Sequence, residues 1–484
     1  MNTTISGPVH APPLSPARQN VVLAICCLSL LVVSMDATIV NVALPDMGRD
    51  LGASLRGLQW VIDAYTIVLA SFLMLGGSTA DRFGRRRVFQ VGMALFTVGS
   101  LLCSVAVSVG WLVAARVIQA LGGSMMNPVA MSIIVHTFVD PKARARAIGM
   151  WAAVAGLAMA LGPMAGGVLT QTLGWHAIFW INVPIGVLAL WLTARYVPES
   201  RAPKARRPDP VGQSLLLIGL VTLVFAVIES GRGWPAYAAA AAAVFAFSAL
   251  FAYERRRYEP LLDVRFFHSL PFSAATVIAV CSFAALGGFL FLSSLYLQDV
   301  RGLSAFHAGM AMLPAALTVT IVSPFSGRLV ATHGARPSLL VSGAMLAVSS
   351  VLLAQVQTDT PLVELLCVYA LFGIGFAMVN APVTFAAVSG MPRAQAGLAS
   401  AIASTSRQIG VAVGVALAGT LAGSPSGSPA ARAGFAQATH SFWWILAGLG
   451  VLIVVLAFVS TGSRARASTA RIAHLLEEPV GGGA

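Results

Sequence analysis

The chain alternates long apolar runs with short polar turns. Each run lasts about 20 residues, the length an α-helix needs to cross a hydrocarbon core. Such runs occupy roughly 21–44, 58–79, 88–108, 111–135, 147–169, 175–197, 211–229, 236–253, 272–297, 307–329, 337–355, 362–384, 397–421 and 440–462. The pattern predicts an all-α polytopic membrane protein with fourteen transmembrane helices. Basic residues test this count, because loops on the cytoplasmic side collect Lys and Arg. Of the 30 Lys and Arg, 23 fall on one set of alternate connections, five on the other, and two, Arg116 and Arg407, inside spans. A missed or extra span would scramble that bias. Both termini are therefore expected in the cytoplasm, with the chain multi-pass in the cytoplasmic (inner) membrane.

Composition sharpens the picture. Of 484 residues, 57% are hydrophobic and only 10% charged, against about 25% charged in soluble domains. Lipid must be the solvent for such a surface. The net charge of +13 would suit a nucleic-acid binder, but the basic residues sit in short clusters between spans, so no nucleic-acid partner is expected. The five cysteines (Cys26, Cys27, Cys103, Cys281, Cys367) all lie in apolar runs and read as buried core thiols, with no metal spacing and no disulfide framework. Residues 1–20 read as a polar cytoplasmic tail and not as a signal peptide.

The two ends of the chain resemble each other. Gly52, Ser54, Gly77, Gly84 and Arg86 match Gly302, Ser304, Gly327, Gly334 and Arg336 at a constant offset, and Asn127-Pro128 has a loose counterpart in Asn380-Ala381-Pro382. The reading is two copies of a six-helix bundle, 21–197 and 272–462, with a linker and two inserted spans at 198–271 and a cytoplasmic tail at 463–484. Duplicated bundles around a central site are a common build of secondary transporters.

Several stretches resemble the major facilitator superfamily, and more narrowly its fourteen-span drug:proton antiporters. They are GSTADRFGRRR (77–87), SMDATIVNVALP (34–45), WVIDAY (60–65), RVIQALGGSMMNP (116–128), and Gly149 through GPMAGG (162–167). Ala120, Ala158 and Thr79 depart from the family pattern by small changes. The resemblance implies the two-bundle fold plus two spans, export by alternating access, and proton coupling through the first-span Asp and fourth-span Arg.

A charge near the bilayer centre is costly and functional by default. Asp36 in span 1, Asp63 in span 2 and Arg116 in span 4 can share the outer half of the N-terminal bundle. Burial favours the neutral carboxyl and a neighbouring guanidinium favours the anion, so a carboxylate held between them can load and release a proton. The bland alternative is a static Asp36–Arg116 pair that orients two helices. Arg407, near mid-depth of span 13, either binds an anionic moiety or bonds carbonyls of a neighbouring helix. Asn41, Tyr65, Gln119, Asn380 and Arg407 join Asp36 and Asp63 as candidate substrate contacts. Gly162, Pro163, Gly166 and Gly167 predict a closely packed, bendable span 5 that seals the seam between halves. In the loop, Gly77, Asp81, Gly84, Arg85 and Arg86 form a candidate switch, Asp81 meeting a helix N-terminus or a basic side chain. Topology signalling alone is the alternative there.

The functional expectation is a proton-driven antiporter, monomeric, that exports a small amphipathic, cationic compound. Its partners are that small-molecule substrate, protons and membrane lipid. No cofactor and no metal are expected, the proton gradient being the energy source. Export of an endogenous metabolite or antibiotic, and uptake by symport, remain as alternatives. A membrane enzyme or a non-transporting sensor is disfavoured, and the absence of any Gly-Lys pair excludes an ATP-driven pump.

Overall fold

A computed structural model describes residues 15–201, 209–257, 260–389, 391, 395–423, 429–465, 467–469 and 471. Most of the predicted N-terminal tail, the basic part of the linker (202–208), Arg393 and the end of the C-terminal tail lie outside the described residues.

Among the described residues there is no strand. The first part of the chain forms α1 (Pro16–Asp50), α2 (Leu55–Phe83), α3 (Arg85–Cys103), α4 (Val109–Thr137), α5 (Pro141–Leu173), the short α6 (Ala177–Trp180) and α7 (Asn182–Tyr196). A hairpin of α8 (Pro210–Ile228) and α9 (Trp234–Glu254) follows. The last part holds α10 (Leu270–Leu295), α11 (Ala305–His333), α12 (Ala335–Leu353), α13 (Leu362–Ala377), α14 (Asn380–Val388), α15 (Ala396–Ala422) and α16 (Pro429–Thr461). A π-turn, Tyr296–Val300, extends α10.

Thirteen helical segments among the described residues are long and apolar enough to cross a membrane. The predicted span at 88–108 corresponds to α3, which is not among the thirteen. Its 19 residues begin with three arginines, so fewer remain for the apolar core. Helix starts follow local chemistry. The hydroxyls of Ser54, Ser108 and Ser304 accept from N–H groups of the first turn, as do the carboxylates of Asp140 and Asp209, which satisfies donors a helix leaves free.

Helices at the offset positions match in length. α2 and α11 both run 29 residues and α3 and α12 both run 19. Gly84 and Gly334, at the matching turns, have φ of +109° and +79°, a region that glycine enters without steric cost. Close helix contacts depend on missing side chains. A Cβ on Gly122 of α4 would collide with the backbone of α3 at Gly92 and Phe96, and one on Gly414 of α15 with the backbone of α10 at Ala284.

One expectation fails. Cys26, Cys103 and Cys281 are buried, but Cys27 is half-buried and Cys367 is exposed. Cys367 lies three residues after Glu364 on the exposed face of α13, a face the apolar run alone does not distinguish from the buried one.

Candidate functional site

Five helices bring polar side chains to one buried point. α1 supplies Asp36, α4 supplies Arg116 and Gln119 one turn apart, α3 supplies Ser100, α7 supplies Asn182 and α2 supplies Tyr65. None is more than 2% exposed. Arg116 Nη1 donates to Asp36 Oδ2 at 2.5 Å and to Gln119 Oε1 at 2.8 Å. Gln119 Nε2 donates to Asp36 Oδ1 at 2.8 Å and to Ser100 Oγ at 3.2 Å. Asn182 Nδ2 donates to the same two oxygens at 3.3 and 3.0 Å. Arg116 Nε donates to Val61 O, and Tyr65 lies with its ring centre 3.9 Å from the guanidinium carbon. The Asp36 carboxylate thus has one counter-charge and two neutral donors. Removing either ion would leave the other buried and uncompensated, which costs about 3–5 kcal/mol.

Asp63 is built differently. It is fully buried in α2, and neither of its oxygens has a hydrogen-bond partner. It does not join the Arg116 network. An anion with no donor and no counter-charge is expensive in such a place. The position therefore suits a group that takes up a proton or faces a ligand cation.

The other predicted residues divide into two sets. Asn41 bonds the carbonyls of its own helix at Ala37 and Thr38, with its Oδ1 unpartnered. Asn380 begins α14 and its carbonyl accepts from Thr384 at 2.9 Å. Arg407 Nη2 donates to Thr384 Oγ1 at 2.9 Å, so it bonds a neighbouring helix through a side chain and not through the carbonyls expected as one alternative. In the loop, Asp81 accepts from Arg85 at 2.9 Å, a basic partner on the same motif. The Arg86 amide donates to Glu199 at 3.1 Å and the Arg85 amide to Ser200 O at 2.9 Å. A Cβ on Gly84 would lie 2.6 Å from Glu199 Oε1. The loop is thus tied to the segment after α7, within its own half. Gly77 is roomier, with Pro128 3.7 Å from an added Cβ.

α5 carries the predicted seam. A Cβ on Gly162 would collide with Thr38, and one on Gly166 would lie 2.8 Å from Ile39 O, both on α1. Gly167 faces the other half, where an added Cβ would lie 2.5 Å from Ala305 O, and the Pro163 carbonyl abuts Gly309 of α11. Beside this seam lies a small apolar cavity. Thr38, Met159, Pro163, Phe289, Met312 and Phe376 are among its lining residues.

The sequence matches the model of the Major Facilitator Superfamily over residues 26–415. The chain belongs to that superfamily. It is 37% identical over 392 residues to the multidrug resistance protein Stp of Mycobacterium tuberculosis, covering 79% of this chain and 72% of the relative. It is 35% identical over 412 residues to the tetracenomycin C resistance and export protein of Streptomyces glaucescens, covering 84% and 76%. Among solved structures, a bacterial homolog of the human lysosomal transporter Spinster, inward-facing and unoccupied, matches with a TM-score of 0.66. That match has 16% identity and covers 95% of this chain and 99% of the other, so it speaks for the fold.

This superfamily member holds its halves together with side chains that sequence reading missed. Gln59 Nε2 of α2 donates to Val415 O and Ala416 O of α15 at 3.3 and 2.8 Å. Gln298 Nε2, in the π-turn, donates to Val42 O of α1 at 2.8 Å. Gln171 Oε1 of α5 accepts from the Phe306 amide of α11 at 3.3 Å. Three glutamines, from three helices, each cross the seam to main-chain atoms. Ser100 and Asn182 were missed as well. Their signal was a lone neutral polar residue within an apolar run, as in FWINVP (179–184).

Proposed function

We propose that this transporter is a proton-driven antiporter of fourteen spans, α3 completing the count, that exports small amphipathic compounds across the cytoplasmic membrane. Both termini lie in the cytoplasm, and the two six-helix units rock about the seam. The observation that carries this reading is the contrast between two buried carboxylates in one half. Asp36 is clamped by Arg116, Gln119 and Asn182, whereas Asp63 has no partner. The partnerless Asp63 exchanges a proton for the cationic group of the substrate. The Asp36–Arg116 network couples that exchange to helix movement, because proton binding at Asp36 would release Arg116 from its counter-charge. The three glutamine contacts close the seam at one end and must break when that end opens. Similarity to proteins named for multidrug resistance and for tetracenomycin C resistance and export supports the direction of transport.

The test is ethidium efflux from cells expressing the protein, with and without a protonophore. Efflux that stops on adding the protonophore, and is absent in Asp36→Asn, is the expected result. Efflux that continues with the gradient collapsed, or in Asp36→Asn, would sink the coupling.

A further inference from the structure

The C-terminal half contains a charge that no described residue neutralises. Arg407 sits eleven residues into α15, near mid-depth of its span. No ion pair among the described residues involves it, and its buried Nε has no hydrogen-bond partner. The acidic residues described in this half, Asp299, Asp359 and Glu364, stand at helix ends or in turns. Arginine does not lose its proton in proteins. A permanent cation at this depth costs several kcal/mol unless something pairs with it.

The surroundings point to what that partner is. The Arg407 fork makes one side-chain bond, to Thr384 Oγ1, whose own proton is given to Asn380 O. Its remaining donors are therefore open to an acceptor on the same face. That face is where a span is interrupted: α13 ends at Ala377 and α14 restarts at Asn380. Interrupted helices at mid-depth place helix N-termini, which favour negative charge, beside transported ligands. On its other side the guanidinium lies 6.0 Å from the Phe283 ring centre. Phe283 stands edge-on to Phe376 at 5.0 Å, and Phe376 lines the apolar cavity at the seam. Two rings in contact, Phe283 and Phe376, thus link the cation to the edge of the cavity.

We propose that Arg407, with Thr384, forms an acceptor subsite that holds a carboxylate of the transported compound while its apolar body occupies the cavity. The substrate class is then an amphiphile with an acidic or strongly accepting group, and a lipophilic cation alone fills the site incompletely. This rests on the exporter reading above.

Two dyes test it. Rhodamine B carries a carboxylate, and tetraethylrosamine has the same cationic ring system without it. Binding to the purified full chain is read by fluorescence anisotropy with no gradient present. The wild type should bind rhodamine B about ten-fold or more tighter than the rosamine, the scale of one charge-assisted bond. Arg407→Gln should erase that difference and leave rosamine binding within about two-fold, while Arg407→Lys should keep part of it. The proposal is overturned if the wild type does not prefer rhodamine B, if Arg407→Gln keeps the preference, or if Arg407→Gln and Arg407→Lys lose both dyes alike. It is also overturned if phosphatidylglycerol displaces rhodamine B from the wild type and not the rosamine, since the site would then belong to lipid phosphate. Vesicles loaded with the same dyes separate the two readings. Arg407-dependent binding without gradient-driven export would refute antiport and leave the subsite standing. Export that ignores Arg407 would do the reverse.

Discussion

α2 and α11 begin on matching serine caps, run the same 29 residues and end at matching glycines. At the same register, α2 carries Gln59, Asp63 and Tyr65 where α11 carries Gly309, Leu313 and Ala315. Each helix lies at the seam, α2 against α15 and α11 against α5. Gln59 crosses its seam with a side chain to Val415 and Ala416, whereas Gly309 lets the Pro163 carbonyl approach its backbone. The difference continues inward. The N-terminal half buries an ionised network around Asp36 and Arg116. The C-terminal half fills its centre with rings, Phe289 stacking on Phe372 at 4.2 Å and meeting Tyr369 edge-on at 4.9 Å. Caps, turn glycines and small contact residues make the frame, and both halves keep them. The proposed proton chemistry needs buried carboxylates, and of the two halves only the N-terminal one, among the described residues, buries them within its spans.

The largest effect should come from breaking the shared frame. Gly122→Leu in one half and Gly414→Leu in the other each drive a side chain into a neighbouring backbone. Overpacking of this kind costs about 3 kcal/mol or more. Both variants should lose the monodisperse protein peak in size-exclusion chromatography. If one half tolerates the change, the two frames are not equivalent.

Next in size is the ionised network. Asp36→Leu leaves Arg116 buried and alone, and should lower stability by about 3–5 kcal/mol. The double variant Asp36→Leu/Arg116→Leu should recover most of that stability in a thermal melt while transport stays at background. Recovery of transport along with stability would make the pair a static brace.

Asn182→Leu removes one donor to the Asp36 carboxylate. A hydrogen bond to a charged group is worth about 1.5–3 kcal/mol, so dye efflux should fall about ten-fold with the fold intact. The smallest effect belongs to the other half. Ser338 Oγ bonds Met378 O at 2.7 Å, where α13 gives way to α14. Ser338→Ala should cost about 1 kcal/mol and leave efflux unchanged. A large loss of efflux there would move part of the proton-coupling machinery into the C-terminal half.

Much of this was legible because charges in apolar runs are rare. Depth put Asp36, Asp63 and Arg116 in one half of the bilayer, the family resemblance singled out Asp36 and Arg116, and the glycine offset pointed to a repeat. Neutral polar residues were not legible. Ser100, Gln59 and Asn182 look like any other polar residue in a span, and their roles follow from which helices meet. The interruption at Met378 and Val379 was hidden as well, since AMVN (377–380) holds no proline and only Pro382, further on, hinted at it. Asp63 was expected to share a site with Arg116, and its lack of any partner emerged from the packing of α2.

The proposed exchange of a proton for substrate at Asp63 can be read directly. Purified protein in weak buffer with a pH-sensitive dye should release a proton when ethidium is added, and Asp63→Asn should bind ethidium with no release. Equal release from the wild type and Asp63→Asn, or none from the wild type on binding, would contradict it.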